Sequence, residues 1–227
     1  MPSLTEAASA IQAFQKDDLG AQIGAIEAVL KGADLAKIRA AFPGLGIDDF
    51  LLDAALALKE TTGQVNVIIH AIGILLAVPK ILTPGEQVLD LSLGAGSTGK
   101  QFDLETTRRV AEFKFIHWKG GAESIRQNSL FKDFYLLAEY ETDKTKELYV
   151  IGTKHPLKFL RGARALSSVM SRNNRLWEGF QEKYQRRFGT VSDYYLFRKD
   201  EVLILDLIEL LPSLSHVQLA DDQEEPA

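Results

Sequence analysis

Two carboxylates and a lysine stand close together in Phe102-Asp103-Leu104-Glu105-Thr106-Thr107-Arg108-Arg109-Val110-Ala111-Glu112-Phe113-Lys114-Phe115. The run reads as two strands, Phe102 to Thr106 and Val110 to Ile116, too close together for anything but a hairpin. A tight turn between Thr107 and Arg108 pairs positions whose numbers sum to 215, as 103 and 112 do. Asp103 and Glu112 are then directly opposed, with Cβ atoms roughly 4.5–5.5 Å apart. Like charges so placed are unfavourable in a purely structural sheet, and the pair needs a cation or a proton. Lys114, two residues after Glu112, points to the same face. Such a cluster can hold a divalent metal through oxygen ligands, while the lysine orients or activates a water and stabilises charge on a phosphoryl oxygen. Glu105 shares the face of Asp103 and is an alternative ligand, whereas Ala111, Phe113 and Phe115 face a core.

The elements around the hairpin must hold it. Residues 3–63 read as helical, with candidate helices over Leu4 to Gln15, Ala21 to Leu30, Leu35 to Phe42 and Asp48 to Lys59. A separate apolar helix over 65–78 follows, too short to cross a bilayer and ended near Pro79. Val88 to Leu93 alternates like a half-buried strand. A helix from Ser124 repeats Ile125, Leu130, Phe134, Leu137 and Ala138 at helical spacing, and Glu147 to Gly152 reads as a strand. Leu157 to Arg187 is largely helical and basic, and Val202 to Leu211 is a last strand or helix. The fold class is α/β, a small mixed sheet flanked by helices. It divides into a helical region over 1–63, an α/β domain over 64–219 with basic C-terminal helices, and an acidic tail over 220–227 expected to be disordered.

Composition narrows the chemistry. The 227 residues contain no cysteine, which excludes disulfides, zinc ribbons and thiol catalysis. No basic stretch leads into an apolar run at the N-terminus, so the expected address is the cytoplasm and no membrane partner is expected. The net charge of −5 is unevenly spread: Arg108 to Lys199 carries 19 Lys and Arg against 10 Asp and Glu. That segment is either an electrostatic footprint for a phosphate backbone or a solvated helix face. Gly94 to Lys100, GAGSTGK, has the spacing of a phosphate-binding Walker loop, but Gln101 stands where the magnesium-binding Ser or Thr belongs and no helix follows. A glycine-rich turn between strands accounts for it more simply.

FDLETTRRVAEFKF resembles the core signature of the PD-(D/E)xK nuclease superfamily, with an acid near the end of the second strand and acid-x-lysine on the third. The element order, helix, three strands, helix, strand, is similar to that superfamily's restriction-endonuclease-like core over roughly residues 60–152. The chain departs from it at Phe102, where the signature has proline. The resemblance implies a Mg²⁺- or Mn²⁺-dependent nuclease with Asp103 and Glu112 as ligands and Lys114 as the catalytic lysine. It also implies a carboxylate from the first helix, Glu60, or else an ordinary helix-end charge there. A glutamine on the following helix, Gln127, resembles another recurrent element. Lys100, Lys119, Arg126, Lys154, Lys158, Arg161 and Arg164 are the candidates for contacting nucleic acid, DNA ahead of RNA, although Arg126 could instead pair with Asp133 or Glu123. Trp118 reads as a base platform or a half-buried core residue, and His70 as a hydrogen-bonded core histidine. A binding or regulatory module with the same fold but no catalysis, and a nucleotide-binding protein using GAGSTGK, are the competing expectations. The N-terminal helices are left for a protein partner or a second copy of the chain.

Overall fold

The hairpin forms in the expected register. In the computed structural model, strand β2 (Leu104–Thr106) pairs antiparallel with β3 (Arg109–Lys114), Leu104 facing Ala111 and Glu105 facing Val110, so both pairs sum to 215. The structure describes residues 2–15, 23–26, 48–94, 101–116, 118 and 124–215, without the side chains of Gln15 and Gln64. Most of the helix expected over 21–30, the one over 35–42, residues 95–100 of GAGSTGK with Lys100, and His117, Lys119 and the 220–227 tail lie outside the described residues.

The chain forms two compact units, Met1–Ile68 and Ile69–Ala227. In the first, helix α1 (Leu4–Gln15) and the leading part of α2 (Asp49–Ile81) bury a small alanine cluster of Ala7, Ala54 and Ala57. The two helices expected over Asp48 to Lys59 and 65–78 are thus one. Thr-Thr-Gly at 61–63 does not break it, because the Thr61 and Thr62 hydroxyls donate back to the Ala57 and Lys59 carbonyls, at 2.9 and 3.2 Å. At 33 residues, with a mean hydropathy of 1.7 over its most apolar window, α2 is long and apolar enough to cross a bilayer by those measures alone. Shortness therefore no longer argues against a span.

The second unit is a five-stranded mixed sheet in the order β1-β2-β3-β4-β5. β1 (Val88–Leu91), β2 and β3 are antiparallel neighbours; β4 (Thr145–Val150) and β5 (Val202–Asp206) run parallel to β3. The parallel step needs a crossover, which α3 (Ser124–Glu139) provides between β3 and β4. Four short helices, α4 (Lys154–Leu160), α5 (Leu166–Met170), α6 (Asn174–Tyr184) and α7 (Val191–Arg198), lead to β5. The segment expected to be one last strand or helix is both: Asp206 ends β5 and its carboxylate accepts from the Ile208 amide at 3.0 Å, capping α8 (Leu207–Leu210).

Both faces of the sheet are covered. Val110, Leu148 and Val150 pack with α3 and the later helices in one cluster. Ala111, Phe113 and Tyr149 pack with Ile74, Ala77 and Ile81 of α2 and with Leu207 in the other. Alternation along β3 and β4 thus feeds two cores, as expected of strands buried on both sides. Arg109 pins the starting edge, donating to both Glu86 oxygens (2.7 and 3.0 Å) and to Glu147 (3.0 Å). The Arg109 guanidinium holds the Glu86 carboxyl far below the usual carboxylate range.

At Gly73 the Phe115 ring lies where a Cβ would stand, so α2 approaches the end of β3 only because this residue has no side chain. Gly73→Ala is expected to push ring and helix apart and to destabilise by about 1–3 kcal/mol despite its better helix propensity. That corresponds to a fall of roughly 2–12 °C in melting temperature, read by thermal denaturation.

Candidate active site

Three elements deliver the charged groups to one end of the sheet. β3 carries Glu112 and Lys114 on the Val110 face, toward α3, where Asp133 is buried among Leu130, Phe134 and Leu137. Asp103 immediately precedes β2. Its carbonyl accepts from the Ser92 amide at 2.8 Å and its Oδ2 accepts from the Phe113 amide at 2.9 Å, which fixes both backbone and side chain. From α2, His70 donates through Nε2 to Asp103 Oδ1 at 3.2 Å, and its ring meets Phe115 edge-on at 5.9 Å. Lys114 Nζ lies 2.5 Å from Asp133 Oδ2, with the lysine side chain 28% exposed and the aspartate 8%.

These distances set the charge state. Burial pushes the Asp103 carboxyl up, but hydrogen bonds from His70, Glu112 and the Phe113 amide outweigh it, and its pKa lies below the ordinary value. Glu112 goes the other way. Burial, then the negative charges of Asp133 and Asp103, push it up to about 9, against the pull of Lys114. Burial opposes the charge of Lys114, yet Asp133 and Glu112 overcome that and raise its pKa, so it is an ammonium. Burial likewise raises Asp133, against the attraction of Lys114. At neutral pH the cluster is therefore an ionised Asp103 accepting a hydrogen bond from a protonated Glu112, beside a Lys114–Asp133 ion pair. The opposed carboxylates are reconciled by a proton.

Among the described residues no three His, Asp or Glu side chains form a ready-made metal cage. A hard cation such as Mg²⁺ seldom needs one: it takes one or two carboxylates and fills its remaining positions with water and substrate phosphates. Asp103 and Glu112, an oxygen pair that already needs a positive partner, fit that requirement.

The other sequence candidates disperse. Glu105 is not an alternative ligand: Lys144 holds its Oε1 at 2.5 Å. Gln127 Oε1 accepts from Arg164 Nη1, which ties both side chains to each other. Glu60 is exposed on α2 within the Met1–Ile68 unit. Arg126 lines a recess beside Lys114, with Ile116, Trp118, Val150 and Pro156, just beyond the carboxyl ends of β3 and β4. Trp118 is 6% exposed and packs on Phe159 with centroids 5.5 Å apart, so it is a core residue and not a stacking platform. Lys154, Lys158 and Arg161 are exposed on and after α4, which starts shortly beyond the β4 residue paired with Lys114.

Two members of the cluster escaped the sequence reading of the site. His70 was read as a core residue, and Asp133 only as a partner for Arg126. Each is the one polar residue on an apolar helical stripe, His70 with Ile74, Ala77 and Ile81, and Asp133 with Leu130, Phe134 and Leu137. A charged or titratable group at such a position has to find a buried partner, and that was the available signal. The chain matches no protein-family model, no curated protein and no solved structure.

Proposed function

We propose that this protein is a metal-dependent phosphodiesterase acting on nucleic acid, with a restriction-endonuclease-like core. The observation that carries this reading is the convergence of Asp103, Glu112 and Lys114 at one end of the sheet, with the carboxylates reconciled only by a proton. Support comes from the element order, a helix, three antiparallel strands, a crossover helix and a parallel strand, with one acid just before the second strand and the other acid and the lysine on the third. Asp103 and Glu112 hold Mg²⁺ or Mn²⁺, which when bound supplies positive charge at the scissile phosphoryl group. His70 and the Phe113 amide keep the Asp103 carboxylate ionised and oriented. Lys114, positioned by Asp133, places an ammonium where charge develops and orients the attacking water. The exposed cations Lys154, Lys158 and Arg161 hold the backbone, with DNA ahead of RNA.

One observation favours a second reading. The Lys114–Asp133 pair and the shared proton leave the cluster electrostatically content by itself, as in a binding module without catalysis. Divalent titration separates the two. Mg²⁺ at a hundredfold excess over its Kd should stabilise the phosphodiesterase by about 2.7 kcal/mol, roughly 5–10 °C in melting temperature, and Asp103→Ala should remove the shift. A wild-type melting temperature indifferent to Mg²⁺ and Mn²⁺ rules out the metal site.

A further inference from the structure

Helix α2 carries two apolar stripes, and the sheet uses one. Ile74, Ala77 and Ile81 pack under β3 and β4, in line with His70, which bonds to Asp103. On the opposite side of the same helix, Val65, Ile68, Ile69, Ile72, Leu75 and Leu76 are each 38–55% exposed. Their spacing is that of a helix–helix seam. Val65 and Ile72 take one position of a seven-residue repeat, Ile68 and Leu75 the position three further on, and Ile69 and Leu76 flank them. β-Branched residues at the first of these positions, with leucine at the second, favour pairs of helices. A contiguous apolar surface of this extent marks an interaction site.

Charge and area select the occupant. No Asp, Glu, Lys or Arg lies between Glu60 and Lys80, so the stripe turned on itself about a two-fold axis brings no like charges together. Six aliphatic residues about half exposed leave on the order of 500 Å² per copy, and pairing two copies covers about 1,000 Å², the threshold of a specific interface. A bilayer fits the same residues less well. From His70 to Ile81 one side of the helix is covered by the sheet, and the preceding residues 49–69 carry Asp49, Asp53, Lys59 and Glu60, so neither half is ringed by lipid as a span would be. A helix lying on a membrane draws on lysines and arginines along its polar face, whereas Lys80 Nζ donates to the Leu210 carbonyl at 2.5 Å. We propose that this stripe pairs with the same stripe of a second copy of the chain, forming a two-fold dimer through α2. The contact shares no residue with the charged cluster and does not rest on the phosphodiesterase reading.

Sedimentation equilibrium of the full-length chain, without divalent cations or nucleic acid, tests the assignment. A monomer–dimer equilibrium is expected, with a Kd of about 10 µM or below, as suits an interface of this size. Ile72→Glu and Leu75→Glu should each weaken it at least about 100-fold, because each buries an unpaired charge in the seam. Both positions are exposed in the single chain, so the variants should keep the wild-type circular dichroism spectrum. Leu203→Glu, a comparably exposed leucine on β5, should leave the Kd within about threefold. An uncharged seam is also indifferent to screening, and raising NaCl from about 50 to 500 mM should change the Kd by less than about threefold. A wild type that is monomeric at about 200 µM overturns the proposal, as does a dimer that persists in both folded glutamate variants or that salt dissociates more than about tenfold. A monomeric wild type that floats with phosphatidylcholine vesicles assigns the stripe to a bilayer and overturns it equally.

Discussion

Lys114→Ala is expected to lower divalent-dependent cleavage of an oligonucleotide by about 10²–10³-fold while changing its Kd for the same strand by less than about threefold. The split follows from where the charge stands. Lys114 is a single ammonium at the end of β3, held 2.5 Å from Asp133, whereas on the proposed reading strand affinity would be spread over exposed cations such as Lys154, Lys158 and Arg161. Removing the lysine also leaves Asp133 buried without its counter-charge, and such a group responds by taking up a proton or by destabilising the fold. Loss of activity in the single variant could then reflect unfolding. Lys114→Ala with Asp133→Asn removes the stranded charge, so the pair of variants separates chemistry from folding. If either folded variant cleaves at the wild-type rate, Lys114 is no part of the machinery.

What the sequence disclosed depended on the reach of the interactions. The Asp103–Glu112 opposition follows from a tight turn and a period of two, both local, and the observed pairs Leu104–Ala111 and Glu105–Val110 keep it. Lys114 follows from the same period. The His70–Asp103 contact spans 33 positions, and Lys114–Asp133 joins a strand to its crossover helix; neither is fixed by any local rule. Those contacts depend on how two helices lie on opposite faces of a sheet. The length of α2 was hidden for another reason. Two helices are expected over Asp48 to Lys59 and 65–78, but the helix runs on through Thr61, Thr62 and Gly63, with both threonine hydroxyls bonded back to its carbonyls. The fate of Gln127 and Arg164, which bind each other, was likewise a matter of tertiary packing and not of motif.

Glu112→Gln should abolish divalent-dependent cleavage and at the same time make the metal-free protein more stable at alkaline pH. The folded-state pKa of Glu112 lies near 9, above the ordinary glutamate value, because burial and the charges of Asp133 and Asp103 disfavour its ionised form. A raised acid binds more protons folded than unfolded, so stability falls as pH rises from the unfolded value, about 4.3, toward about 9, and the full penalty is present above that. Asp103 is shifted in the opposite direction, and its contribution is lost only as pH falls below the ordinary aspartate range, outside this window. Asp133 is raised like Glu112 and remains in the variant, so the wild-type slope is reduced but not removed. Glutamine keeps the hydrogen bond to Asp103 and cannot ionise. If one pKa unit of the shift is realised as about 1.4 kcal/mol, the variant melts roughly 3–6 °C higher than wild type at pH 9 and no higher at about pH 3, below the unfolded value. The same proton competes with the cation. Mg²⁺ affinity of the wild type should therefore rise about tenfold per pH unit up to about 9, with one proton released per ion bound. An affinity flat from pH 6 to 9, or a Glu112→Gln protein no more stable than wild type at pH 9, would mean that no proton is shared at this site. On the proposed reading, a residue that weakens the metal-free fold at high pH is thus one the cation would need, a cost of function written into the stability of the sheet.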